Sequence, residues 1–214
     1  MRIFCKWAMV LVVPAVWIAT TRAQDDGEFH PEGTTIKLLL LRQKSVQKEL
    51  EVSAEVKKKV MAFTTSQSEA AGEALKLGKA ERKKAFEDLE KANKEFLKDT
   101  LTAKQSKRLN QIAMQFTALY HLTKVETTKK LKLTKEQHTE LKELQGKVRK
   151  ELKELRAEKD VAVRSKEFAK LRERTRTAIL AILTEKQREL VREMAGPPFT
   201  GEIHFEEHKA SKKK

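Results

Sequence analysis

The sequence has very few of the residues that cross-link a chain or interrupt a helix. Cys5 is its only cysteine, and it has four prolines, seven glycines and a single tyrosine. A chain with one cysteine cannot form an intramolecular disulfide, which excludes the small secreted proteins that depend on such bonds. Its stability must therefore come from packing, for which a chain of 214 residues is long enough.

The first 23 residues have the layout of a secretory signal peptide. Arg2 and Lys6 precede an apolar stretch at 7–19, and a small-x-small sequence ends at Ala23. The apolar stretch is too short to span a bilayer comfortably. We predict cleavage after Ala23 and export to the periplasm or cell envelope; the alternative is an uncleaved anchor, with Arg22 as its stop. Removal of the three cations in this segment lowers the net charge from +15 to about +12.

Apolar residues recur at spacings of three and four along the rest of the chain, as at Leu141, Leu144, Val148 and Leu152. This is the period of an α-helix, and no stretch shows the sustained alternation that is typical of a strand. The sequence therefore predicts an all-α fold. After residue 23, no segment is apolar enough to cross a membrane.

The two halves of the chain match each other in order. KELEVS at 48–53 matches KKLKLT at 129–134, and KAFEDL at 84–89 matches KEFAKL at 166–171, with offsets of 81 and 82 residues. Such a repeat indicates two tandem copies of a helical unit of about 80 residues. We predict helical hairpins packed in an elongated bundle, with turns near 72–78 and 160–165. The predicted ranges are a signal peptide at 1–23, a flexible leader at 24–35, helical unit 1 at 36–126, helical unit 2 at 127–200 and a basic flexible tail at 201–214.

A five-residue motif, Leu-Thr-x-x-Gln, occurs three times. The hydroxyl of a Thr at the N-cap accepts from an exposed backbone N–H, and a Gln three residues later bonds back to the N–H of the cap. Each copy therefore predicts the start of a helix, and each cap is worth about 1 kcal/mol relative to Ala. A degenerate fourth copy at 52–56 has Ser53 for Thr and Val56 for Gln. The predicted capping residues are Leu101, Thr102, Gln105, Leu133, Thr134, Gln137, Leu183, Thr184 and Gln187.

The leucine before each cap resembles half of a hydrophobic staple. The usual partner, four residues after the cap, is polar in all three copies. We therefore expect these leucines to pack one turn further on, near Leu109, Leu141 and Val191, or against another helix.

Three copies of this motif, in an exported, basic, helical chain without a mature cysteine, resemble the Spy/CpxP group of bacterial envelope proteins. The resemblance covers the motifs, composition, export signal and charge, but not the length, because members of that group are typically shorter and have two motifs. It implies a bent helical hairpin that dimerises into a cradle. It also implies that a concave, positively charged face holds partly unfolded proteins without ATP, while some relatives modulate a stress-sensing kinase or handle zinc.

Neither an enzyme nor a cofactor is predicted. The sequence has no Gly-rich phosphate loop, no Gly-x-Ser-x-Gly elbow and no thiol after residue 5. The only metal-ligand candidates are His204 and His208, whose spacing of four places both on one face if the segment is helical. A Gly-Pro-Pro sequence just before them interrupts a helix, which favours an incidental chelator. His121 and His138 are isolated and are interpreted as surface or boundary residues.

An excess of Lys and Arg remains after pairing with Glu at helical spacing. Basic stretches beside apolar residues favour attraction of acidic, unfolded chains by charge, followed by apolar contact. Phe86 and Phe168 are the predicted apolar partners, with core packing as their alternative role. The predicted client- or polyanion-binding residues are Arg82, Lys83, Lys84, Arg149, Lys150, Arg172, Arg174 and Arg176.

From these observations we expect a non-enzymatic, ATP-independent chaperone or an envelope stress-response accessory. Its expected partners are unfolded or acidic polypeptides and, in a homodimer, a second copy of the chain. One alternative is a structural scaffold that binds envelope polyanions, which should be lost at a few hundred millimolar salt. Another is metal buffering, which predicts zinc uptake that is lost on deletion of 204–214. Nucleic acid is not an expected partner, because the chain is exported and has no aromatic stacking pattern.

Overall fold

The computed structural model describes residues 33–203, apart from the side chains at 156, 161, 162 and 165. Every regular element in this range is an α-helix, which confirms the predicted all-α class. The predicted signal peptide and most of the predicted leader and tail lie outside it. None of the described helices is both long enough and apolar enough to cross a membrane.

The helices of the described range form two sets of five. The first set is α1 (Thr34–Leu41), α2 (Lys44–Glu49), α3 (Ala54–Ala74), α4 (Lys79–Thr100) and α5 (Ala103–Phe116). The second set is α6 (Ala118–Leu122), α7 (Val125–Leu131), α8 (Lys135–Ala157), α9 (Val161–Ile182) and α10 (Glu185–Ala195). Helices α2 to α5 begin 81 or 82 residues before α7 to α10. The predicted tandem duplication is therefore confirmed in the helix order.

The two sets also share an unusual backbone turn. Glu51 follows α2 and Lys132 follows α7, and both have φ of 51°, in the left-handed region that non-glycine residues rarely adopt. After each, the chain bonds back into the preceding helix, Val52 N–H to Gln47 O at 3.2 Å and Leu133 N–H to Thr128 O at 3.0 Å. The same turn therefore orients α3 on α2 and α8 on α7.

Each set of helices encloses its own hydrophobic core. The first core contains Leu40 and Ile112, and the second contains Leu122 and Leu141, all of them fully buried. The sequence places the boundary between the units at 126/127, whereas Leu119 and Leu122 already pack in the second core. The boundary falls at Thr117, which ends α5 and precedes α6.

Two long antiparallel hairpins extend from these cores, α3 with α4 and α8 with α9. The first turn, at 75–78, agrees with the prediction. The second turn, at 158–160, begins earlier than the predicted 160–165, because Asp160 starts α9: its Oδ1 accepts from Val163 N–H at 3.1 Å. Phe63 and Phe96 stack with ring centroids 3.9 Å apart and hold the first hairpin together.

The chain after α10 returns to the first core. Within this C-terminal strap, residues 196–203, Phe199 and Ile203 are buried in that core. The Gln115 amide of α5 binds the strap, because Nε2 donates to Pro197 O at 2.9 Å and Oε1 accepts from Phe199 N–H at 2.9 Å. The strap that follows the second set of helices therefore completes the core of the first set.

Both ends of the described range correct the predicted segments. Residues 201–203 belong to the strap, not to a flexible tail, because Ile203 fills the first core. The leader ends before residue 35, because α1 begins at Thr34. Thr34 is buried, and its Oγ1 donates to Glu90 Oε2 of α4 at 2.6 Å. Ile203 lies in a segment without a helical period, so the hydrophobic pattern did not reveal its contact with the core.

Replacing Phe199 with Ala should destabilise the whole chain. Phe199 is 2% exposed, so the variant leaves a large cavity in the first core, and we expect a loss of about 3–5 kcal/mol in the free energy of unfolding. Urea unfolding followed by far-ultraviolet circular dichroism measures it. The exposed neighbour Thr200→Ala is the control and should stay within about 0.5 kcal/mol of wild type. Equal effects of the two variants contradict a core role for the strap.

Candidate functional site

All three intact motifs form the predicted capping boxes. The hydroxyls of Thr102, Thr134 and Thr184 each accept from the backbone N–H of the Gln three residues later. Each Gln Oε1 accepts in return from the N–H of its cap, at 2.9–3.1 Å. Ser53 in the degenerate copy caps α3 through Val56 N–H at 3.2 Å, and the side chain of Val56 cannot return the bond. The motif is a helix-start device, as predicted.

In the second unit, two of these boxes bind each other. Gln137 Nε2 donates to Gln187 Oε1 at 2.8 Å, and Gln187 Nε2 donates to Gln137 Oε1 at 2.9 Å. The same nitrogens also donate to carbonyls before the opposite cap, Ile182 O at 2.8 Å and Leu131 O at 3.4 Å. We call this reciprocal arrangement the glutamine pair. It joins the starts of α8 and α10 to the ends of α9 and α7, which local capping rules did not reveal.

The first unit has half of this arrangement. Gln105 Nε2 donates to Leu50 O at 3.0 Å, which matches the bond from Gln187 to Leu131. The position that corresponds to Gln137 is Val56, which packs against the first core instead. In the first unit, apolar packing of Val56 therefore replaces the hydrogen bonds that Gln137 makes in the second unit.

The leucines that precede the caps pack as predicted. Leu101 lies in the first core with Leu109, and Leu183 lies in the second core with Leu141. Leu133 and Val191 are partly buried against that second core. The repeated Leu-Thr-x-x-Gln motif thus combines a helix cap with a core contact.

The structure brings five of the eight predicted basic residues to one hairpin. Arg149 and Lys150 lie on α8, whereas Arg172, Arg174 and Arg176 lie on α9. Arg174 pairs with Glu151 at 2.9 Å across the hairpin, which places the two groups at the same level. Arg176 has a longer contact with Glu173, 3.9 Å. Lys150 and Arg172 are exposed and have no carboxylate partner within the described residues.

The other three predicted basic residues lie at the start of α4, on the first hairpin. Arg82 has a structural role, because its guanidinium donates to Leu77 O at 2.9 and 3.3 Å in the hairpin turn. Lys83 is exposed and lies 3.9 Å from Glu87. Lys84 is exposed and pairs with no carboxylate in residues 33–203. The first hairpin therefore offers two exposed lysines beside Arg82, whose guanidinium is held in the turn.

Phe86 and Phe168 occupy equivalent positions of α4 and α9, 82 residues apart, and both are half-buried. Neither belongs to the two core clusters. Further apolar side chains are exposed on or beside the hairpins, among them Leu77 at the first turn and Val163 near the second. Each hairpin therefore presents cations together with apolar surface.

A second basic region, which the sequence did not reveal, lies among α1, α4 and α5. A groove of about 430 Å³ is lined by Lys37, Lys94 and Lys98, with Leu97 and Leu101 on its wall. None of the described residues that line it has a carboxylate. We call it the lysine groove. Lys94 and Lys98 are one turn apart on α4, and Lys37, which is distant in sequence, joins them only because α1 packs on α4 and α5.

Positive charge also surrounds His121 of α6. Partial burial, together with the charges of Lys124 and Lys37, lowers the pKa of His121 to about 4. The Lys124 ammonium lies 4.5 Å from the centroid of the Tyr120 ring. Burial also lowers the pKa of Lys37, with Lys124 acting in the same direction and Glu90 opposing it. His121 is therefore a boundary residue that is held neutral at physiological pH.

The described residues contain no group of three or more His, Cys, Asp or Glu side chains that is suited to a metal ion. The candidates His204 and His208 lie outside the described range, so they stay a prediction. His138 is partly buried and follows the cap of α8.

No family model matches the chain, and no curated protein or solved structure matches it significantly. The resemblance to the Spy/CpxP group therefore stays a prediction.

Replacing Gln187 should cost more stability than replacing Gln105. Gln187→Ala removes a capping bond and leaves the Gln137 amide and Leu131 O without this partner, so we expect a loss of about 2–4 kcal/mol. Gln105→Ala removes a cap and only one further bond, so about 1–2 kcal/mol is expected. Urea unfolding compares the two. Equal losses, or no coupling between Gln137 and Gln187 in a double-mutant cycle, contradict a stabilising glutamine pair.

His121 should make the fold less stable in acid. Its pKa is about 4 in the folded chain against 6.5 ordinarily, so the unfolded chain takes up the proton first as the pH falls. The stability contributed by the neutral imidazole is complete above about pH 6.5 and is lost progressively towards pH 4. The difference in unfolding free energy between wild type and His121→Gln should shrink over this window. A difference that stays constant with pH contradicts the shift.

Proposed function

We propose that the chain is an exported, ATP-independent binder of partly unfolded, acidic polypeptides, of the Spy/CpxP kind, without enzymatic activity or cofactor. The observation that supports this best is a mixed surface repeated on both hairpins. Phe86 and Phe168 are half-buried at equivalent positions, each within four residues of an exposed cation, Lys84 or Arg172. Charge attracts an acidic chain over distance, and apolar contact then retains it.

Exposed apolar side chains support retention beyond simple charge attraction. Leu77, Val163 and Leu180 are 39–46% exposed on or beside the hairpins. A partly unfolded client has apolar side chains of its own, and contact between the two removes both from water. Binding of this kind persists when salt screens the charges.

A scaffold that binds envelope polyanions is the second candidate. The lysine groove and the unpaired hairpin cations favour it, because both offer positive charge that forms no ion pair within the described residues. Such binding depends on charge alone. It should vanish at a few hundred millimolar salt, whereas client holding should partly survive.

An aggregation assay tests the proposal. The purified protein, without nucleotide, should lower the light scattering of an acidic client that aggregates when its disulfides are reduced. The triple variant Lys84→Gln, Lys150→Gln and Arg172→Gln should reduce this protection several-fold, because it removes hairpin cations that have no ion pair to lose.

The matched control removes the same charge elsewhere. Lys107→Gln, Lys129→Gln and Lys186→Gln change three exposed lysines outside the two long hairpins and should leave protection close to wild type. Unchanged scattering with a several-fold excess of wild type rejects the chaperone proposal. Equal losses in both triple variants, or complete loss in high salt, favour the polyanion scaffold instead.

A further inference from the structure

The lysine groove has a charge imbalance that the described residues do not correct. Lys37, Lys94 and Lys98 line it from two helices, and none of them has a carboxylate within ion-pair distance in residues 33–203. The Glu90 carboxylate acts on Lys37 through its charge but forms no ion pair with it, and it accepts from the N–H and Oγ1 of Thr34 at 3.3 and 2.6 Å. The groove therefore favours an occupant that brings negative charge.

The chain itself has a matching segment directly before the groove. Residues 24–32, QDDGEFHPE, contain four carboxylates, no Lys or Arg, and one aromatic residue. This acidic leader lies outside the described range, but its attachment point does not. Thr34, two residues after Glu32, is itself one of the residues that line the groove.

We propose that the acidic leader, residues 24–32, occupies the lysine groove of its own chain. Charge complementarity favours it: four negative residues stand against three lysines that have no other described partner. The tether favours it over any free anion, because a segment held at the rim has an effective concentration in the millimolar range. Nine residues reach at most about 30 Å when extended, so the leader is confined to the region around Thr34.

Two further features of the groove suit a peptide segment. Leu97 and Leu101 give it apolar wall beside the ammonium groups, which fits a segment that contains both carboxylates and Phe29. Lys37 is partly buried, and its pKa is lowered chiefly by that burial. A carboxylate beside it offsets the cost of a desolvated ammonium. Contacts between the leader and the groove of its own chain do not require client binding.

Paramagnetic NMR tests the placement. The chain that begins at Gln24 lacks Cys5 and has no other cysteine, so Gly27→Cys gives a single position for a nitroxide label. We expect the label to broaden amide signals of Lys94, Lys98 and Ser106 more strongly than those of the α8/α9 hairpin. Uniform broadening, or broadening centred on another surface, overturns the proposal. Broadening seen only between labelled and isotope-enriched molecules in a mixture assigns the leader to a second copy and overturns it too.

Charge variants test whether attraction between the leader carboxylates and the groove lysines holds the leader in place. Lys94→Gln with Lys98→Gln should reduce the local broadening to the lower level that the tether alone produces, whereas Lys57→Gln with Lys58→Gln, an equal charge change on exposed residues of α3, should leave it unchanged. Reversal with Lys94→Glu and Lys98→Glu should reduce it to the same level, and addition of Asp25→Lys and Asp26→Lys should restore it. All four groove and leader positions are exposed or outside the described fold, and thermal unfolding checks that each variant folds. Failure of the swap to restore broadening in folded protein contradicts the proposal, and this outcome is independent of the aggregation assay.

Discussion

The reciprocal bond between the Gln137 and Gln187 amides is the interaction on which the second unit depends. Each amide caps its own helix, binds the other amide and donates to a carbonyl at the end of a third helix. Four helix termini meet there, and each terminus has backbone groups without a partner inside its helix. Two side chains thus satisfy polar groups that the second core would otherwise bury, and they fix where the hairpin leaves that core.

The first unit meets the same requirement differently. Val56 stands where the second glutamine would be, so the polar link is halved and an apolar contact takes its place. The same core receives Phe199 and Ile203 from the strap. Gly196, with φ of 64°, allows the chain to turn after α10 where a Cβ would lie 2.4 Å from the Gln111 side chain. The first unit, which has fewer hydrogen bonds between its helices, is therefore the one whose core is completed by the strap. This contact joins the two copies.

Local sequence patterns predicted the features that depend on residues close together in the chain, such as the helix caps. Thr102, Thr134 and Thr184 were identifiable as caps because cap and glutamine are three residues apart. The sequence did not reveal that α6 packs in the second core, because this helix is too short to show a helical period. The lysine groove was missed for a different reason: Lys37 and Lys94 become neighbours only when α1 packs on α4. Tertiary approach of distant residues leaves no periodic signal in one sequence.

The two basic regions differ in how strongly solvent screens their charge. Lys150 and Arg172 are exposed, so salt at about 0.15 M screens their attraction beyond about 8 Å. Lys37 is partly buried, and an anion beside it is screened less. Exposed hairpin cations therefore suit the rapid capture and release that the proposed client binding requires. The groove suits an anion that remains bound, and a tethered segment meets this condition because its association is intramolecular.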